Sequence, residues 1–122
     1  MQMKPLDPAF PLQDQLRLPD EGPVVLINLF TLDTADEEAF SDAWAADATY
    51  MKAQLGFIST QLHRALGSSP AFLNYAIWET MDAFHAAFGN PDFQAKLAAY
   101  PASAVVAPHL FRRVGVPGVC TA

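Results

Sequence analysis

FLNYAIWET, residues Phe72 to Thr80, sets an asparagine and a tryptophan four residues apart inside an otherwise apolar run. Its aromatic and β-branched content predicts a strand. Strand side chains alternate, so Phe72, Asn74, Ala76 and Trp78 share one face while Leu73, Tyr75 and Ile77 take the other. The strand is apolar on both sides, yet one side also carries an amide and an indole. Each face needs its own explanation.

The surrounding sequence supplies the frame. Upstream, GSSP (Gly67–Pro70) makes a turn, and Phe57–Leu66 predicts a strand with Ile58 and Leu62 on one face and Phe57, Ser59, Gln61 and His63 on the other. Downstream, Thr80 is an N-cap for a short helix that places Met81, Phe84, His85 and Phe88 on one face. GNPDF interrupts it, and Pro91 opens a second helical stretch carrying Phe93, Leu97 and Tyr100. AVVAPHLFRRV predicts a last strand in which Pro108 marks an edge or a bulge.

VVLINLF (Val24–Phe30) is the first strand, with its own odd polar residue, Asn28. Thr34 and Glu37 then stand at capping-box spacing. Phe40, Trp44, Ala48, Met51 and Leu55 recur at helical spacing until Gly56 stops the helix. The order is β-α-β-β-α-β. Right-handed crossovers on both halves give an α+β, ferredoxin-like fold with an antiparallel sheet of order 4-1-3-2. Residues 1–23, with Pro5, Pro8, Pro11, Pro19 and Pro23, form an extended arm, 24–114 the folded domain and 115–122 a tail.

Helices cover one face of such a sheet, and the other normally shows polar residues to water. Here the first strand offers Val25, Ile27 and Leu29 on one side and Val24, Leu26 and Phe30 on the other. The helix-free face therefore predicts a partner surface. A second copy of the sheet is the simplest one, so a homodimer joined sheet to sheet is expected.

The 122 residues suffice for one domain with a core of its own. A net charge of −6 and scattered basic residues argue against nucleic acid, which requires clustered Lys and Arg. The N-terminal stretch is broken by prolines and acids where a signal peptide needs an apolar core, and no run is long enough to span a membrane. The lone Cys120 has no disulfide or metal-ligand companion, so a cytoplasmic protein is expected. The three histidines lack metal-ligand spacing, and no glycine-rich phosphate loop, nucleophile elbow or Cys–His pair is present. Neither flavin nor nicotinamide binding has support in the sequence.

Asn28 and Asn74 fall on neighbouring central strands. An unpaired buried amide costs about 1–3 kcal/mol, so each needs a partner. They could bond each other, the backbone or water. Alternatively they open with Trp78 into a pocket between sheet and helices. Asn74 and Trp78 are about 13 Å apart along a strand rising ~3.3 Å per residue, with small Ala76 between them. That shelf suits a planar aromatic ligand walled by Phe40, Phe84, Phe88, Phe93 and Leu97. The same aromatics also suit a plain core.

The stretch GFISTQLHRALGSSPAFLNYAIWETMDAFHAAFGNPDF, above all NYAIWE followed by the AF and FG pairs, resembles the antibiotic biosynthesis monooxygenase family of dimeric α+β barrels. The likeness runs from Val24 to Val114 and is strongest toward cofactor-independent members that oxidise anthrone-type intermediates to quinones. It implies that Asn74 and Trp78 line the pocket, that Asn28 joins them, and that O2 is a co-substrate with no bound cofactor. Two positions depart from the pattern. A tyrosine used by one member corresponds to Phe84, and an arginine falls near Leu97. Haem-degrading members place their iron-ligating histidine near Leu97 as well, so haem degradation is disfavoured. The alternative expectation is a non-catalytic dimer that binds a small aromatic or stress-related ligand.

An electron-rich carbanion or phenolate can give O2 an electron without a flavin. The protein must then hold the oxyanion and exclude water. The N–H groups of Asn28, Asn74 and Trp78 are the candidate donors. His85 is the candidate base, from the pocket edge; a solvent-bonded rim residue is the plainer reading. His63 reads as structural or as a subunit contact, and His109 has no role.

Overall fold

Val24–Thr31 and Ala71–Trp78 run antiparallel at the centre of a five-stranded sheet. A computed structural model describes all of Met1–Ala122. In chain order the strands are β1 (Gln2–Met3), β2 (Val24–Thr31), β3 (Phe57–Arg64), β4 (Ala71–Trp78) and β5 (Val105–Phe111). The helices are α1 (Leu12–Gln15), α2 (Glu37–Lys52), α3 (Met81–Phe88) and α4 (Pro91–Lys96), with short 3-10 turns at Thr34–Asp36 and Leu97–Ala99. The sheet order is β1-β5-β2-β4-β3. Its last four strands reproduce the expected 4-1-3-2 arrangement, and β1 is an addition at the edge. The fold is ferredoxin-like α+β.

That addition corrects the reading of residues 1–23 as an arm without regular structure. Gln2 and Met3 pair in parallel with Val105 and Val106. Farther along, Leu12 is buried in the core, and the Gln15 amide bonds both the N–H and the carbonyl of Leu110 at 2.9 Å. Between these two attachments lies Pro108. Val106 accepts from the Lys4 N–H, so residues of the same parity on β5 turn their backbone away from β2. The missing N–H of Pro108 therefore faces the edge and breaks no ladder bond, as proline in a strand requires.

β4 alternates without exception. Phe72, Asn74, Ala76 and Trp78 are buried toward the helices, and Leu73, Tyr75 and Ile77 are half-buried on the far side. Register with β2 puts Val24, Leu26, Asn28 and Phe30 on the same helix-facing side, Asn28 directly opposite Asn74. β3 departs from its expected pattern. A bulge between Phe57 and Ser59 adds one residue, so Phe57 pairs with Trp78 while Thr60 pairs with Ala76 and Leu62 with Asn74. Phe57, Thr60 and Leu62 thus share the helix side, and Ile58 is left exposed.

Two further expectations need correction. Thr34 and Glu37 make no capping box: a 3-10 turn occupies Thr34–Asp36, and neither Asp33 nor Asp36 caps through its side chain. Instead Ser103 Oγ accepts from the Asp33 N–H at 3.1 Å and donates to Asp36 Oδ2 at 2.6 Å, tying this corner to the start of β5. α2 also ends at Lys52, before the periodic pattern does, so Leu55 lies outside the helix and is 92% exposed. No helix is long and apolar enough to cross a membrane.

The helices cover one face of the sheet with two apolar clusters. One joins Leu26, Ala76, Trp78, Met81 and Phe84; the other joins Phe30, Phe40, Phe72, Tyr100 and Val106. Asn28 and Asn74 lie in the row between the two.

Candidate active site

A chamber of about 670 Å³, open mouth included, lies between the helix-facing side of the sheet and the helices. The centre of a water molecule can reach about 60 Å³ of it, so the unfilled space is narrow. Leu26, Asn28, Asn74, Ala76 and Trp78 form the sheet wall, and Phe84, Phe88, Phe93 and Leu97 the roof. Met1, Met3 of β1 and Met51 of α2 also line it. Methionine is the side chain that yields most readily to an entering ligand.

The two asparagines do not bond each other. Thr60 Oγ1 donates to Asn74 Oδ1 at 2.6 Å, which orients the amide and leaves its NH2 without a protein acceptor at the chamber wall. Asn28 makes no side-chain hydrogen bond within the chain, and neither does the Trp78 indole N–H, although Trp78 is only 1% exposed. Asn28, Asn74 and Trp78 thus all border the chamber, with Ala76 between the last two on β4.

Packing holds the indole in place. Phe57 meets Trp78 edge-on at 5.5 Å between ring centroids and Phe84 does so at 5.7 Å. The series continues through Phe84–Phe88 and Phe88–Phe93, each at 5.5 Å. Such contacts contribute about 0.5–1.5 kcal/mol each beyond area burial and leave the rings little freedom.

Two expected site residues fall elsewhere. Phe40 is fully buried but packs behind the chamber, against Phe30, Phe72 and Tyr100, and does not line it. His85 is exposed and lies outside the chamber wall. The inward stripe of α3 runs through Met81, Phe84 and Ala87, and the residue after Phe84 is rotated about 100° away from it. The candidate base on α3 is thereby withdrawn.

Three polar residues of the wall were not anticipated: Thr60, Asp47 and Tyr100. Tyr100 donates its hydroxyl to Asp47 Oδ2 at 2.6 Å. Burial pushes the Asp47 carboxyl above its ordinary range, against the Tyr100 hydrogen bond and the charge of Lys96, which pull it down. Burial, then the Asp47 charge and hydrogen bond, push the Tyr100 hydroxyl far up, so the shared proton stays on the phenol. An acid on the inward side of α2, four residues after buried Ala43, was the available sequence signal.

Residues 23–99 match the family described as antibiotic biosynthesis monooxygenase, well over half of the chain. The chain belongs to that family. Among its relatives, deoxynogalonate monooxygenase of Streptomyces nogalater is 31% identical over 74 residues, covering 61% of this chain. The match spans 62% of that enzyme's length, less than two thirds. SnoaB, a cofactor-independent oxygenase from Streptomyces nogalater, superposes with a TM-score of 0.72 at 26% identity, over 80% of this chain and 99% of its own. A proposed monooxygenase from Shewanella loihica PV-4 gives 0.67 at 28% identity, over 79% and 99%. The family match begins at residue 23, so the chamber-lining Met1 and Met3 lie outside it.

Proposed function

We propose that this protein is a cofactor-independent monooxygenase that uses O2 to oxidise an anthrone- or hydroquinone-like aromatic substrate to a quinone. The observation that carries the reading is the convergence of Asn28, Asn74 and Trp78 on one largely apolar chamber with their N–H donors unpaired. The description of SnoaB as a cofactor-independent oxygenase supports the absence of a flavin or metal from the scheme.

The chemistry fits uncharged donors. A deprotonated anthrone passes one electron to O2, and the radical pair combines to a peroxide on the ring carbon. N–H groups at fixed positions stabilise the delocalised oxyanion without adding an ion to a dry site. Ala76 leaves room for a flat ring system, and Trp78, Phe84 and Phe88 offer it aromatic walls. Removing one such donor from an oxyanion site costs about 10²–10³ in kcat.

The reading includes a homodimer. Ile27, Tyr75 and Ile77 on the helix-free face are half-buried, Leu29 is 39% exposed and Phe111 43%, an apolar surface of the kind a second sheet covers.

Oxygen uptake with a panel of anthrones and hydroquinones, without added flavin, tests the function. Trp78→Phe and Asn74→Ala are each expected to lower turnover by about two orders of magnitude. Unchanged turnover in both variants removes the donor assignment. Tight binding of the same compounds with no oxygen uptake assigns the chamber to ligand binding alone.

A further inference from the structure

The proposed oxidation needs a group that takes a proton from the substrate, and the three N–H donors cannot do so. Asp47 is the only carboxylate in the chamber wall. Its Oδ2 accepts the Tyr100 hydroxyl at 2.6 Å, and its Oδ1 accepts no hydrogen bond from the protein. The residue lies on the inward side of α2, between Ala43 and Met51, where an amphipathic helix ordinarily places an apolar side chain. Its one hydrogen-bond partner within the chain is the Tyr100 hydroxyl, an acceptor role that an uncharged amide fills equally well.

We infer that Asp47 is the catalytic base of this site and that Tyr100 is the positioning residue that holds it. The inference rests on the oxidation proposed above. Oδ1 removes a proton from the CH2 of the anthrone and leaves the carbanion. After electron transfer to O2 and recombination, the new C–O–O⁻ takes that proton back from Asp47 on its distal oxygen. Asp47 then removes the second C–H proton as the O–O bond breaks. The C–H pair becomes the carbon–oxygen π bond, and the departing hydroxide collects the proton as water. One CH2 and one O2 give one C=O and one H2O, and Asp47 ends as it began.

The surroundings tune the group for this exchange. Burial favours the neutral acid and makes the carboxylate a stronger base. Lys96 on α4 opposes that effect, and its ammonium lies 5.9 Å from the centre of the Tyr50 ring. Tyr100 opposes it by donating its hydroxyl. Across the chamber the sheet offers only uncharged polar groups, Asn28, Thr60 and Asn74.

The test uses the full chain and 1,8-dihydroxyanthrone. Mixed without oxygen, wild type is expected to develop the visible absorbance of the bound anion, and Asp47→Asn to bind the probe without that band. In air, Asp47→Asn is expected to lose about 10²-fold in kcat and the acid limb of its kcat/KM profile. Tyr100→Phe and Lys96→Met, each removing an influence that favours the charged carboxylate, are expected to move that limb to higher pH. Anion formation and an unaltered pH profile in Asp47→Asn overturn the base assignment while the oxidation reading stands, as does a limb that neither Tyr100→Phe nor Lys96→Met shifts. A wild-type protein that forms no anion and consumes no oxygen overturns both.

Discussion

Thr60 reaches diagonally across the β3–β4 pair to donate its hydroxyl to the side chain of Asn74, at 2.6 Å. The bond decides which end of the amide meets the chamber: Oδ1 is engaged, so the NH2 is the part left to donate. It also depends on the β3 bulge, because a strand without the extra residue would place Thr60 on the opposite face. Replacing Thr60 by Val keeps the shape, removes the donor and frees the amide to turn. Thr60→Val is expected to lower kcat about tenfold, since misplacement of a positioned group is felt directly in rate. It should also lower unfolding free energy by about 1–3 kcal/mol, the cost of an unsatisfied buried oxygen. Steady-state kinetics and urea unfolding measure the two effects. Unchanged kcat would make the bond structural only.

Gly56 joins α2 to β3 at φ +85°, and its carbonyl accepts the Glu79 N–H at 2.8 Å. A Cβ at this position would collide with the Cβ of Ala83 on α3. Gly67 has φ +69° with open space around it, so it shares the backbone constraint without the collision. Gly67→Ala is expected to cost about 1–2 kcal/mol, the left-handed penalty alone. Gly56→Ala adds an overpacking cost of about 1–3 kcal/mol and displaces the helix that carries Phe84. Equal losses in chemical denaturation would refute the packing argument.

Local rules made most of this architecture legible. Alternation in Phe72–Trp78 gave the buried face of β4 residue by residue, and Asn28 and Asn74 were placed correctly because both strands are regular. What escaped was tertiary. The β3 bulge is a single inserted residue with no glycine to announce it, and it reversed the expected faces of Phe57 and Ile58. Asp47 and Tyr100 are 53 residues apart in sequence, and only the return of the chain over α2 brings them together. His85 was misplaced by one helical position, a shift that periodicity over an eight-residue helix does not resolve. His85→Ala is accordingly expected to leave turnover with any accepted substrate within about twofold of wild type, like other changes at exposed sites away from chemistry. A loss of tenfold or more would restore His85 as a candidate base.

Asp20 connects the N-terminal segment to the start of α3. Its carboxylate accepts from the backbone N–H of Asp82 at 3.1 Å, of Gly22 at 3.2 Å and of Met81 at 3.4 Å. These bonds, the one from Asp82 foremost, hold its pKa below the ordinary value. The depressed pKa means that the stabilisation is present above the ordinary carboxylate pKa and is lost as pH falls through the folded value. Asp20→Asn is therefore expected to melt below wild type at neutral pH, with the gap closing in acid. A gap that persists unchanged at pH 2–3 would show that the charge plays no part.

Asp47 carries the opposite sign. Burial raises its pKa in the folded chain, so the native state holds the proton more tightly than the unfolded state does. Stability falls as pH rises from the ordinary carboxylate pKa to the raised one, and the deficit persists above it. An amide at this position still accepts the Tyr100 hydroxyl and carries no charge to desolvate. Asp47→Asn is thus expected to melt above wild type at pH 7, with the two curves converging as pH falls toward about 4, near the ordinary carboxylate value. The same substitution is expected to abolish most of the turnover, so stability and activity move in opposite directions. That is the pattern of a group retained for chemistry at the expense of the fold. A variant less stable than wild type at pH 7 would instead make Asp47 a structural tether for Tyr100.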